Sequence, residues 1–118
     1  MISIEVPLPD SLNKYLTKHW AVRSKEKNEL CQDIYYMLCE QLKCPLPTWK
    51  KARLKYTIHS SRMTDADNRV IIPKLVNDCI VRAELVPDDS PKYLEYGLPE
   101  FVYDKENRFV IVEIEEVR

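Results

Sequence analysis

The sequence predicts a single α+β domain over residues 1–118, with one mixed β-sheet and two main helices packed on it. Three observations predict it. The 118 residues, 45% of them hydrophobic, are enough for one packed core and not for two. Period-2 alternation marks residues 2–6 and 52–59 as strands, whereas apolar spacings of three and four mark residues 30–42 and 75–83 as helices. The elements run strand, helix, strand, helix, then strands, without an internal repeat, and a sheet covered by helices is their most economical assembly.

Taken in order, Ile2, Ile4 and Val6 alternate with Ser3 and Glu5, a half-buried strand stopped by Pro7 and Pro9. The polar stretch from Asp10 to Arg23 has no period and predicts an irregular or partly helical connection, read as a loop. Ser24 suits an N-cap, and Leu30, Ile34, Met37, Leu38 and Leu42 then predict an amphipathic helix of about five turns, ended by Cys44-Pro45 and Pro47. Ala52, Leu54, Tyr56 and Ile58 alternate with Arg53, Lys55, Thr57 and His59, a strand with one apolar and one basic or polar face. A loop from Ser60 to Asn68 leads to a second helix, with Leu75, Val76, Cys79, Ile80 and Ala83 on one face and Pro73 in its first turn. Asp88-Asp89-Ser90-Pro91 reads as a turn. After an irregular stretch, Phe101–Tyr103 and Phe109–Glu115 flank Asp104-Lys105-Glu106-Asn107 and predict a terminal hairpin.

Composition excludes several function classes. One glycine, Gly97, beside eight prolines leaves no glycine-rich phosphate loop, and so no nucleotide cofactor held by one. No apolar run approaches the roughly 20 residues that span a bilayer, and the N-terminus lacks the features of a signal peptide, so a cytoplasmic protein without membrane contact is expected. Cys31, Cys39, Cys44 and Cys79 have no CxxC spacing and no nearby histidine pair, which argues against zinc and for free thiols packed as small hydrophobes. His19 and His59 are isolated and are expected in structural or surface roles. Residues 1–83 carry 14 Lys/Arg against 9 Asp/Glu, and residues 84–118 carry 4 against 10. Nucleic-acid contact by the basic part and two solvated faces both account for that asymmetry.

The segment most suggestive of chemistry is Thr64-Asp65-Ala66-Asp67-Asn68, with Lys74 in the following helix and Asp88-Asp89 beyond its end. In extended backbone, Asp65 and Asp67 project to one side. If the chain turns back after the helix, a third carboxylate joins them in an all-oxygen cluster of the kind that holds Mg²⁺, and Lys74 adds a positive charge for a phosphoryl group. Each element also has an ordinary reading: Asp65, Asp67 and Asn68 as loop or capping residues, Lys74 with Asp78 as a helical i,i+4 pair, and Asp88-Asp89 as a turn. A calcium-binding EF-hand loop starting at Asp65 is excluded by Val70 and Val76 at its sixth and twelfth positions.

The order Asp65-x-Asp67-Asn68, Lys74, Asp78, Asp88-Asp89 resembles the RusA-like family of Holliday junction resolvases, small endodeoxyribonucleases of bacteria and their phages. Val6-Pro7-Leu8-Pro9 and Asn13-Lys14-Tyr15 resemble the opening of the same family. The resemblance implies a Mg²⁺-dependent homodimer that makes paired nicks in opposing strands of a four-way DNA junction during recombination and repair. It implies Asp65, Asp67 and Asp89 as catalytic metal-binding aspartates and Lys74 as the catalytic lysine, with Asn68 shaping the loop. Lys14, Lys18, Arg23, Arg62 and Arg69, with Arg53 and Lys55, are the candidate DNA contacts. The glycine usual in the family before the last acidic pair is absent, with Glu84 near its place, and the basic run that can precede the first aspartate is reduced to Arg62. Two other readings fit the same residues: a non-catalytic, branched-DNA-binding dimer of phage or prophage origin, and a phage-encoded protein–protein adaptor.

Overall fold

Strict alternation over residues 52–60 makes the central strand of the sheet. The computed structural model describes residues 1–8, 19–62 and 68–118, with the side chains of residues 68–70 outside that description. Strand β2 (Ala52–Ser60) buries Ala52, Leu54, Tyr56, Ile58 and Ser60 and turns Arg53, Lys55, Thr57 and His59 to the other face. Strand β5 (Phe109–Glu116) runs antiparallel to it, from Ala52 opposite Glu116 to His59 opposite Phe109. Strand β1 (Ile2–Pro7) lies antiparallel on the far side of β5. The other edge of β2 is shared by two short parallel strands, β3 (Leu94–Tyr96) along Ala52–Leu54 and β4 (Glu100–Tyr103) along Thr57–Ser60. The result is the α+β domain with a mixed sheet that the pattern predicts.

The terminal hairpin does not form. Strands β4 and β5 lie on opposite edges of β2, so the connection between them crosses the end of β2. There the Asp104 N–H donates to the Ser60 carbonyl at 3.0 Å, and Asp104 Oδ1 accepts from the N–H groups of Glu106 and Asn107 at 3.0 and 3.1 Å. The sequence carries the turn chemistry but not the partner of each strand. Strand β3 falls in a stretch expected to be irregular, because three residues are too few for a period to show.

Helix α1 (Trp20–Leu42) starts four residues before Ser24. His19 is the N-cap, extended at φ −60° and ψ 141°, and its Nδ1 accepts the Ala21 N–H at 3.2 Å. Residues 20–23 are thus helical and not part of a loop. They show no apolar period because this first turn is largely in water, with Trp20 67% and Val22 46% exposed. Cys31, Ile34 and Leu38 form the buried stripe of α1. Gln41 ties the helix to the sheet: its Oε1 accepts the Ser3 N–H at 3.2 Å and its Nε2 donates to the Ser3 carbonyl at 2.6 Å. That contact occupies backbone groups on the outer edge of β1, which would otherwise be open to another strand.

Helix α2 (Asn68–Arg82) buries Ile71, Ile72, Leu75, Val76, Cys79 and Ile80. Pro73 is its sixth residue and lies beyond the first turn, so its missing N–H removes one rung of the ladder. The helix begins further upstream than expected because the β-branched run Val70-Ile71-Ile72 hides its start.

The cysteines are not free. Cys31 is bonded to Cys79, joining α1 to α2, and Cys39 to Cys44 at the end of α1. Cys31 and Cys79 each lie on the buried stripe of a helix, and packing brings their Cα atoms to 4.6 Å across a sequence separation of 48. Spacing along the chain cannot show such a pair. Lys27 Nζ to Asp78 Oδ2 at 2.6 Å and Arg82 Nη1 to Asn28 Oδ1 at 2.7 Å tie the same two helices on either side of the bridge. Among the described residues, no helix is long and apolar enough to cross a membrane.

Candidate functional site

What happens after α2 decides whether Asp89 can meet Lys74. The helix ends in a Schellman turn: the Glu84 N–H donates to the Val81 carbonyl at 2.9 Å and the Leu85 N–H to the Ile80 carbonyl at 3.3 Å. Glu84 occupies the left-handed position at φ 62°, where glycine is the usual residue. Thr48 Oγ1 donates to the Glu84 carbonyl at 3.0 Å, and the Trp49 N–H donates to the Leu85 carbonyl at 2.6 Å. The reversal inserts Leu85 and Val86 into the core, 0% and 1% exposed. The chain then turns at Ser90–Tyr93, two residues later than the Asp88–Pro91 turn the sequence predicts: the Ser90 carbonyl accepts the N–H groups of Tyr93 and Leu94, both at 2.9 Å.

This return brings Asp89 back to the middle of α2. Lys74, Asn77 and Asp78 from the helix, Asp89 from just before the turn, and Tyr96 and Leu98 from the end of β3 line one open cavity of about 450 Å³. The Lys74 and Asp89 side chains are exposed to it. At a rise of 1.5 Å per residue, Lys74 stands roughly 9 Å along the axis from the helix start. Asp88 and Asp89 differ in what they do: Asp88 Oδ1 accepts the Asp89 N–H at 2.6 Å, and of the two only Asp89 lines the cavity.

Beneath Lys74, the buried Tyr56 hydroxyl donates to Oδ1 of Asn77, itself 3% exposed. Burial, and then the neighbouring Tyr96 phenol, hold the ionisation of Tyr56 well above the usual tyrosine range, so the phenol stays a neutral donor. Asp78 pairs with Lys27 of α1, in place of the i,i+4 pair with Lys74. Sequence reading passed over Tyr56, Asn77 and Tyr96. The available signal was Asn77, an uncharged polar residue directly after the apolar pair Leu75-Val76 of the helix.

Asp65 and Asp67 lie outside the described residues, as do Lys14 and Lys18 and the side chains of Asn68 and Arg69. Arg23 is half-buried in the first turn of α1, and Arg62 is exposed directly after β2, its N–H donated to Ser60 Oγ at 3.1 Å. Arg53 and Lys55 are engaged elsewhere. Arg53 reaches Glu115 at 2.7 Å and Glu95 at 3.3 Å, and Lys55 reaches Glu100 at 3.7 Å. Glu115 first, then Glu95, raise the Arg53 pKa above its ordinary value. The opposite charges of the two parts of the chain therefore meet across neighbouring strands. Both histidines have structural places: His19 caps α1, and His59 stacks on Phe109 with ring centroids 4.4 Å apart.

Among the described residues, no group of three His, Cys, Asp or Glu side chains comes together to hold a metal. Comparison with protein-family models and with curated proteins finds no match for this chain.

Proposed function

We propose that the protein is a Mg²⁺-dependent, structure-selective DNA endonuclease that resolves four-way junctions by paired nicks. One observation supports this reading: the reversal at Glu84 returns the chain so that Asp89 lines the same cavity as Lys74. Of the two exposed aspartates, Asp89 is the one that lines the cavity, while Asp88 Oδ1 accepts a backbone N–H. In this reading Asp65, Asp67 and Asp89 would hold Mg²⁺, which polarises the phosphodiester and orients a water in line with the scissile bond. Lys74 places an ammonium beside the phosphoryl oxygens as charge develops on them. The Tyr56–Asn77 hydrogen bond fixes the helical turn that carries Lys74. Lys14, Lys18, Arg23, Arg62 and Arg69 neutralise backbone phosphates, and a homodimer matches the two-fold symmetry of the junction.

The test is cleavage of a synthetic four-way junction with Mg²⁺ by the purified protein. Paired nicks are expected. Asp67→Asn and Asp89→Asn abolish cleavage and retain binding, Asp88→Asn retains both, and Lys74→Ala slows cleavage roughly 100- to 1,000-fold. Cleavage that survives in Asp67→Asn or Asp89→Asn overturns the site. Junction binding without nicking in any divalent metal replaces the enzyme with the non-catalytic branched-DNA-binding dimer, and failure to bind DNA at low salt removes both.

A further inference from the structure

On the side of the helix pair formed by Asn28, Cys31, Tyr35, Tyr36, Cys79 and Arg82, a second cavity of about 410 Å³ opens. Cys31 and Cys79 are among its lining residues, so a bridge that belongs to the core borders an open cavity. The two sulfur-bearing residues are unequal: Cys31 is 6% exposed and Cys79 1%. Among the described residues, Arg82 is the only charged side chain lining this cavity, and its bond to Asn28 Oδ1 at 2.7 Å fixes the guanidinium there. Arg82 stands three residues after Cys79, on the same face of α2.

We infer that the Cys31–Cys79 bridge is a thiol–disulfide exchange site for an anionic low-molecular-weight thiol, with Arg82 as its positioning residue. The thiolate of the incoming molecule attacks Cys31 Sγ, on the less deeply buried of the two cysteines. A new S–S bond forms there, the Cys31–Cys79 bond breaks, and its electron pair leaves on Cys79 Sγ as a thiolate that takes a proton from water. Arg82 attracts the anionic thiol to the cavity and favours the departing thiolate, since a nearby cation lowers the pKa of a thiol. A second molecule of the same thiol attacks the mixed disulfide, leaving free Cys31 and the oxidised small-molecule disulfide. Alternatively Cys79 attacks Cys31, expels the thiol and restores the bridge.

Exchange at this face reaches the opposite one. Cys79 adjoins Asp78, which lines the Lys74 cavity, and opening the bridge leaves Lys27–Asp78 and Arg82–Asn28 as side-chain ties between the helices. Helix α2 is then held less tightly within an intact fold.

The Cys39–Cys44 bridge is an internal control, because Cys44 is exposed and this bridge is not at the Arg82 cavity. Unreduced protein is incubated with glutathione or, separately, with cationic cysteamine, and adducts are mapped by peptide mass spectrometry. The expected result is a glutathione adduct on Cys31 and not on Cys79. The rate of exchange at Cys31, relative to that at Cys39–Cys44, is about tenfold higher for glutathione than for cysteamine at low salt. Arg82→Gln abolishes that preference and Arg82→Lys keeps it. Backbone amides of residues 74–82 exchange hydrogen about tenfold faster once Cys31 carries the adduct. Free thiols at Cys31 and Cys79 in the unreduced protein, adducts confined to Cys39 and Cys44, attachment at Cys79, or a preference unchanged in Arg82→Gln each overturn the proposal.

Discussion

Along β2, Ala52, Leu54, Tyr56 and Ile58 lie against the two helices, while Arg53 and Lys55, interleaved with them, reach sideways to carboxylates on neighbouring strands. On the covered face Tyr56 makes a polar contact with Asn77 of α2, both buried. On the open face Arg53, Glu95, Glu115, Lys51, Lys55 and Glu100 form a lattice of exposed pairs. The contrast lies in how the charges of the two regions are matched. Arg53, Lys51 and Lys55 on the open face are matched by acidic residues, whereas Lys74 lines a cavity with Asp78, which is paired with Lys27, and with Asp89.

The largest test of this contrast is Ile58→Ala. Ile58 is fully buried, so removing its branches is expected to cost about 2–5 kcal/mol, measured by urea denaturation. Asn77→Leu comes next: it leaves the buried Tyr56 hydroxyl without its acceptor, at a cost of about 1–3 kcal/mol, and Tyr56→Phe in that background recovers part of it. The same tyrosine makes stability depend on pH at the alkaline end. Its folded pKa is raised, so the unfolded chain ionises first; the contribution is complete below about pH 10 and is lost as pH rises beyond it. Denaturation midpoints should fall over that range in the native chain and fall less in Tyr56→Phe.

Glu84→Gly acts at neither face but on the turn that returns Asp89 to α2. Relieving a left-handed residue that carries a Cβ is expected to stabilise the fold by about 1 kcal/mol, read from the same urea curves, with the cavity preserved. Arg53→Gln should have the smallest effect. Its pairs are exposed, so the denaturation midpoint should shift slightly at low salt and not at all in 1 M salt. A loss as large as that of Ile58→Ala would break the distinction between the faces.

Both central elements were legible because their periods are long: nine residues in β2 and a 23-residue α1. The boundaries were less legible. A histidine did the capping expected of Ser24, and an exposed first turn carried no apolar stripe. Of the candidate site, the chain order of Lys74 and Asp89 was visible, together with the requirement that the chain double back. The means of doubling back was hidden, because it depends on a glutamate in a conformation that favours glycine.

Sequence alone therefore determined the α+β class, the two buried stripes and the alternation of β2, since each depends on neighbours within a few residues. Tertiary structure alone decided that β4 and β5 flank β2, that Cys31 meets Cys79, that Asp78 pairs with Lys27, and that Asp89 lines one cavity with Lys74. These are contacts between segments distant along the chain. They are set by how whole elements pack against one another, and a local pattern of residues does not encode which partner each one takes.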